Sequence, residues 1–388
     1  MNQHPQHGGG RAMTARARRF VTLALAAAMA IGLSSAAHAG ARQSALPRSA
    51  VQASAVQGSA VQGSTVQGSA VQGSAVQDRV NAALRAWMAA NGVGNAGLAV
   101  MRDNELVGSY GYNEMSAETP APVASLSKSI TAVCVMSLID DGRLRFNTPL
   151  YSLPPSFRKM TGRWASRAVG NITVEQLLRH TSRITFDPSQ AGLAGIPNAA
   201  SSDRILVRRA LAQPLSTMPR SEVYNNINYA VLGLVIQAVT REPYESYCRR
   251  MALAPRGAAQ ARIGAGIRAM GAFGGWEISA VDYAMFARAY DPRSRLLSPA
   301  AHRFIDALSN PRKPTASLGM FVVRTSSGRN LFHHGSWQSS ATTPRQFSSF
   351  FAMWDNGISV VVTYDRNLTD AARGALDDTL RQAAYSRG

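Results

Sequence analysis

Ser125-Leu126-Ser127-Lys128 heads an apolar run, Ser129 to Ile139, that carries no charge before Asp140-Asp141-Gly142. A run of that length with a charged, glycine-bearing stop reads as a helix. On a helix Ser125 and Lys128 share one face, because residues three apart are neighbours on its surface. Lysine is the exception here: of 41 basic residues only Lys128, Lys159 and Lys313 are lysine. A buried ammonium can lose its proton where a guanidinium cannot, so a background of arginine that keeps Lys128 points to a base. The implied chemistry is a nucleophile beside its base. A Ser-x-x-Lys pair also arises by chance, and this one gains its weight from the helix it opens and from the motifs that follow.

The N-terminal part has a different character. Arg16 to Arg19 are basic, Phe20 to Leu33 are apolar, and Ala37-His38-Ala39 has the small-x-small form of a signal peptidase site. The apolar run of about 14 residues is short of the roughly 20 that span a bilayer. It therefore reads as a cleavable signal peptide over residues 1–39, cut after Ala39, in a periplasmic or secreted protein. Arg18-Arg19 leaves the twin-arginine route open beside the Sec route. Residues 40–77 hold a Val-Gln-Gly-Ser repeat with valine at 51, 56, 61, 66, 71 and 76. A period of five matches neither a strand nor a helix face, and small polar residues bury too little to offset chain entropy, so the repeat reads as a linker.

Formal net charge is +19, and the four arginines before the cut, Arg11, Arg16, Arg18 and Arg19, have no acidic counterpart, which leaves +15 on the mature chain. A basic exported surface concentrates anionic polymers of the cell envelope. The arginines are not clustered with interleaved aromatics, so a nucleic-acid partner is not expected. The seven histidines show neither His-Glu-x-x-His nor a Cys/His cluster, so no metal and no cofactor are expected. Cys134 and Cys248 fit either a disulfide or two buried thiols.

Organisation over 78–388 suggests a mixed α/β (α+β) domain. Asp78 to Asn91 forms an amphipathic helix with Val80, Leu84, Trp87 and Met88 on one face. Ala96–Arg102 and Glu105–Gly111 flank the turn Asp103-Asn104 as a hairpin. Residues from about 150 to 270 read as an all-helical subdomain. Strands return at 318–324, 329–334, 347–354 and 358–364, and a helix from Thr369 to Ala384 closes the chain. This order favours an antiparallel sheet built from both chain ends, flanked by terminal helices and interrupted by the helical insertion, with the Ser-x-x-Lys helix at the seam.

Two further patterns sharpen the reading: Tyr224-Asn225-Asn226, just before a helix, and His333-His334-Gly335-Ser336, at the end of a strand. The set Ser-x-x-Lys, Tyr-x-Asn, His-x-Gly, in that order, resembles the serine β-lactamase and D-alanyl-D-alanine carboxypeptidase superfamily, in its His-x-Gly branch. Leu177-Leu178-Arg179-His180-Thr181-Ser182 and Gly274-Gly275 with Ser279, Asp282 and Phe286 match further family segments, and the resemblance runs from about 80 to 388.

The resemblance implies that Ser125 attacks a carbonyl to form an acyl-enzyme, with Lys128 or Tyr224 as its base. It implies that Asn226 hydrogen-bonds Lys128 and the substrate amide, that His333 lines the cleft, and that Gly335 and Ser336 border an oxyanion hole made by the backbone N–H groups of Ser125 and Ser336. Of the two adjacent histidines only His333 faces the cleft, because neighbouring strand residues point to opposite sides. Two departures stand out. His-His-Gly replaces the Lys-Thr-Gly of β-lactamases, and Arg183 replaces the usual glycine after Thr181-Ser182, which suggests a loop of different course.

The implied function is an exported serine hydrolase of the D-alanyl-D-alanine carboxypeptidase type, acting on peptidoglycan-type D-peptides as a monomer. Its alternatives are an esterase, a D-aminopeptidase, a class C-type β-lactamase acting on β-lactams, and a non-catalytic protein that binds wall fragments.

Overall fold

Burial along the central strands sets the architecture. In the computed structural model, which describes residues 70–191, 193, 195–307, 313–339 and 345–386, the strand Ile358–Tyr364 is buried at every position. A strand buried on both faces must be covered on both. Val360, Val362 and Tyr364 join one apolar cluster, while Val361 joins another on the opposite side. The expected signal segment, 1–39, and most of the expected linker lie outside the described residues.

In chain order, helix α1 (Ala70–Asn91) leads into strands β1 (Ala96–Arg102), β2 (Glu105–Tyr112) and the two-residue β3 (Ala121–Pro122). A 3₁₀ turn, Ala124–Leu126, then runs directly into α2 (Ser127–Asp140). Short helical turns follow, then α3 (Ser202–Leu211), α4 (Asn226–Thr240), α5 (Tyr244–Cys248), β4 (Arg262–Ile263), β5 (Trp276–Ile278), α6 (Ala280–Ala287) and α7 (Pro299–Asp306). The chain returns through β6 (Thr315–Ser317), β7 (Met320–Arg324), β8 (Arg329–Gln338), β9 (Gln346–Met353) and β10 (Ile358–Tyr364), and α8 (Asp370–Tyr385) follows.

The main sheet has the order β2-β1-β10-β9-β8-β7-β6, and all its pairings are antiparallel. The sheet from both chain ends is thus as expected, closed by β1 against β10 with Ala99 opposite Val361. Helices α1 and α8 cover one face through Val80, Leu84, Trp87, Leu376 and Leu380. The other face packs on α2 and the helical region.

Three details differ from expectation. Helix α1 starts at Ala70, inside the repeat, and buries Val76. Val76, Val80 and Leu84 are four apart, so the last valine of the repeat continues the helical stripe whatever its period upstream. Between 150 and 270 the chain is not wholly helical, since β4 pairs with β5 in a small sheet of order β3-β5-β4. Strand β6 and helix α7 are additional. At three residues β6 is too short to show alternation.

Candidate active site

Ser125 lies in the 3₁₀ turn and Lys128 in the first turn of α2, and their side chains meet: Lys128 Nζ donates to Ser125 Oγ at 3.0 Å. Ala124 takes φ +45°, a left-handed backbone that only a well-packed surround holds in a residue other than glycine. Helix α2 is buried on every side, so its polar groups need internal partners. They find them in a ring of tyrosines. Ser129 Oγ bonds Tyr283 Oη (2.8 Å), Thr131 Oγ1 bonds Tyr244 Oη (2.7 Å), and Tyr290 Oη donates to the carbonyl oxygen of Leu318 (2.6 Å) and to that of Ser129 (3.3 Å).

Lys128 is fully buried and also donates to the Phe273 carbonyl oxygen at 2.9 Å. Burial penalises its charged form and brings its pKa down to about 7, against the smaller opposing pull of the Asp187 carboxylate. Tyr224 approaches from the segment before α4. Its ring centre lies 4.9 Å from Lys128 Nζ, and 38% of the residue is exposed. Burial raises the Tyr224 pKa, so the phenol keeps its proton at neutral pH. Ser125 Oγ therefore faces a lysine ready to take a proton, and a phenol that holds one lies beside that lysine.

Strand β8 supplies the other wall. Its pairing with β7 ends at Phe332, and its remaining length runs past the 3₁₀ turn of Ser125. A Cβ on Gly335 would collide with the Val123 carbonyl oxygen and sit 2.5 Å from Ser349 Oγ and 3.1 Å from the Ser125 backbone nitrogen. Only glycine lets the strand approach the nucleophile this closely. Ser336, next along, pairs with Ser348. His333 is buried, its ring 5.9 Å from Tyr224 and 5.2 Å from Phe321, and its Nδ1 bonds the His334 carbonyl oxygen at 2.6 Å. Burial, with Lys128 nearby, brings its pKa down to about 3. His334 stacks on Phe350 on the opposite face, as strand alternation requires.

Asn226 is placed differently from the expectation. Its Nδ2 donates to Ser189 Oγ (2.9 Å), its backbone N–H donates to Asp187 Oδ2 (3.0 Å), and the partners of Lys128 are Ser125 and Phe273 instead. Ser189 and Asp187 lie on the loop after Ile184, which draws Asn226 towards itself. Arg183 also corrects an expectation, for it adopts φ +69°, so the loop keeps the left-handed turn that a glycine would make. Asp187, Ser189, the Phe273 carbonyl and Gly319 have no signature in the sequence. Gly319, at φ +77°, is pressed on α2 so closely that a Cβ would lie 2.5 Å from the Lys128 carbonyl carbon. Cys134 of α2 and Cys248 of α5 form a disulfide, which settles the pairing left open above.

Comparison with known proteins accords with this geometry. A family model described as Beta-lactamase matches residues 80–385. Protein flp of Staphylococcus aureus (strain COL) is 31% identical over 153 residues, which are 38% of this chain and 30% of that protein. The chain thus spans under a third of the length of that curated relative. Among solved structures, a D-stereospecific amidohydrolase from Streptomyces sp. superposes with a TM-score of 0.62 at 21% identity, over 80% of this chain and 98% of the other. The D-alanine carboxypeptidase AmpC from Burkholderia cenocepacia does so with a TM-score of 0.59 at 15% identity, over 79% and 99%. At those identities the likeness is one of fold.

Proposed function

The chain belongs to the beta-lactamase family, and from that premise we propose that it is an exported serine hydrolase that cleaves D-configured peptides through an acyl-enzyme on Ser125. The observation that carries the reading is Ser125 Oγ held 3.0 Å from a fully buried Lys128, whose Nζ lies 4.9 Å from the Tyr224 ring centre.

Neutral Lys128 takes the Ser125 proton as Oγ adds to the substrate carbonyl. The carbonyl π electrons move to oxygen, where the backbone N–H groups of Ser125 and Ser336 stabilise the charge. The C–N bond then breaks, and its electron pair leaves on nitrogen. That nitrogen takes a proton from Tyr224, which regains one from Lys128. Water completes the cycle by adding to the ester, and Ser125 recovers its proton. Neighbours of the same fold named as a D-stereospecific amidohydrolase and a D-alanine carboxypeptidase support D-configured acyl donors. The Cys134–Cys248 disulfide supports export, because such bonds persist in oxidising compartments.

One observation favours a second reading within the same chemistry. His333, with its pKa down to about 3, is neutral at physiological pH and offers no charge to a substrate carboxylate. That favours D-amino acid amides or small esters over peptides with a free C-terminus. Turnover of matched substrates, a D-alanyl-D-alanine peptide and its C-terminal amide, by the wild type and Ser125→Ala separates the readings. Preference for the free acid supports the carboxypeptidase, preference for the amide supports the amidase, and undiminished turnover by Ser125→Ala removes both.

A further inference from the structure

His180 belongs to a segment that matches the family pattern, yet it has no part in the chemistry above. It is buried, and it carries φ +54°, a conformation that side chains disfavour. Two of its hydrogen bonds flank a single neighbour. The Val223 N–H donates to the His180 carbonyl oxygen at 2.9 Å, and the Asn225 N–H donates to His180 Nδ1 at 3.2 Å. The residue between these two anchors is Tyr224, and its ring lies 4.6 Å from the imidazole, centroid to centroid.

A relay of hydrogen bonds fixes the state of that imidazole. The Ile184 N–H donates to Ser182 Oγ (3.1 Å), so the Ser182 hydroxyl donates onward to Asn228 Oδ1 (2.6 Å). That assigns the Asn228 amide: Nδ2 faces His180 Nδ1 at 3.0 Å and donates to it. Nδ1 thus accepts from two donors, and the ring proton sits on Nε2. The other groups facing the ring are Lys128 of α2, His333 of β8 and Tyr229 of α4, and burial, with Lys128 nearby, holds the imidazole neutral.

We infer that His180 is the positioning residue for Tyr224: it anchors the chain on both sides of the tyrosine and packs against its ring at a tilt of 31°, so that the phenol reaches Ser125. This rests on the reading of Ser125 and Tyr224 given above. The left-handed backbone of His180 is what lets its carbonyl oxygen and its ring grip the two neighbours of Tyr224 together. Ser182, two residues on, holds the imidazole through Asn228, which ties the His180-Thr181-Ser182 segment to the Tyr-x-Asn segment.

The test uses two probes with different needs. Cleavage of D-alanine p-nitroanilide needs a proton delivered to the leaving nitrogen, whereas p-nitrophenyl acetate expels an anion that needs none. His180→Ala is expected to lower kcat for the anilide on the order of 10²-fold, the loss that a displacement of about 1 Å can cause. KM should change little, and the ester should lose less. His180→Asn should recover most of the activity, since its Oδ1 can accept the same N–H and asparagine tolerates a left-handed backbone. In a Tyr224→Phe background, His180→Ala should add no further loss.

Equal losses on anilide and ester, or the same loss in both backgrounds, would overturn the inference, as would failure of His180→Asn to recover activity while melting like the wild type. Turnover of both probes by Ser125→Ala at the wild-type rate is a separate outcome that removes the acyl-enzyme reading itself.

Discussion

Lys128 Nζ meets Ser125 Oγ across 3.0 Å while its whole side chain is buried and the Phe273 carbonyl oxygen holds it from the other side at 2.9 Å. Short reach and loss of solvent together turn an ordinary ammonium into a base that works near neutrality.

The first consequence is a pH profile. With the Lys128 pKa near 7, the rate of Ser125 acylation should rise as pH climbs through about 7 and level above it. Stopped-flow acylation from pH 5 to 9 measures this, and a rate independent of pH across that span would remove Lys128 as the base.

Stability should rise with pH as well, over the range above that of activity. The folded pKa lies below the unfolded one, so the unfolded chain binds more protons between about 7 and 10.5. The cost of burying the charged lysine is fully present below about 7 and fades as pH rises towards 10.5. Lys128→Met should therefore be inactive yet more stable at pH 7, by a few kcal/mol at about 1.4 kcal/mol per pKa unit. Urea unfolding of both proteins at pH 7 and pH 10 tests the sign, and the gap between them should narrow at the higher pH.

Close backbone approach predicts which glycines matter. Gly335→Ala sets a Cβ against the Val123 carbonyl oxygen, and Gly319→Ala sets one against the backbone of α2 at Lys128 and Ser129. Each should cost about 1–3 kcal/mol by overpacking, with a fall in acylation rate. Gly142→Ala, at positive φ like Gly319 but with nothing within 4 Å, is the control for strain alone. Equal effects of all three on acylation would contradict the packing argument.

The disulfide joins α2, the helix of Lys128, to α5 across a sequence separation of 114. Closing a loop of about that size restricts the unfolded chain by roughly 4–5 kcal/mol in the entropic account. Cys134→Ala with Cys248→Ala should lower the unfolding free energy by about 2–5 kcal/mol, read as a lower urea midpoint. An unchanged midpoint would mean that packing alone fixes α2.

Much of this site could be read from the chain because side-chain chemistry announces itself. Ser125, Lys128 and Tyr224 are reactive residue types at fixed spacings, and the strands at both chain ends showed their apolar runs. Phe273 contributes a carbonyl oxygen, which every residue has, so no residue type marks it. Gly319 and Asp187 act across space, and nothing in sequence order relates them to Lys128. Arg183 shows the limit of a local rule, since disfavour for a left-handed arginine was overruled by the hydrogen bonds around it. The helix start at Ala70 shows another, for Val76 belongs to the repeat by period and to the core by its distance from Val80.

The most direct test of the central claim is intact-protein mass spectrometry after mixing with benzylpenicillin and, separately, with a D-alanine thioester, sampled over time beside Ser125→Ala. The account predicts a covalent acyl adduct with at least one of the two, mapped to Ser125 by peptide fragmentation and missing from Ser125→Ala. An adduct that persists in Ser125→Ala, or consumption of either reagent by Ser125→Ala at the wild-type rate, would contradict an acyl-enzyme on Ser125.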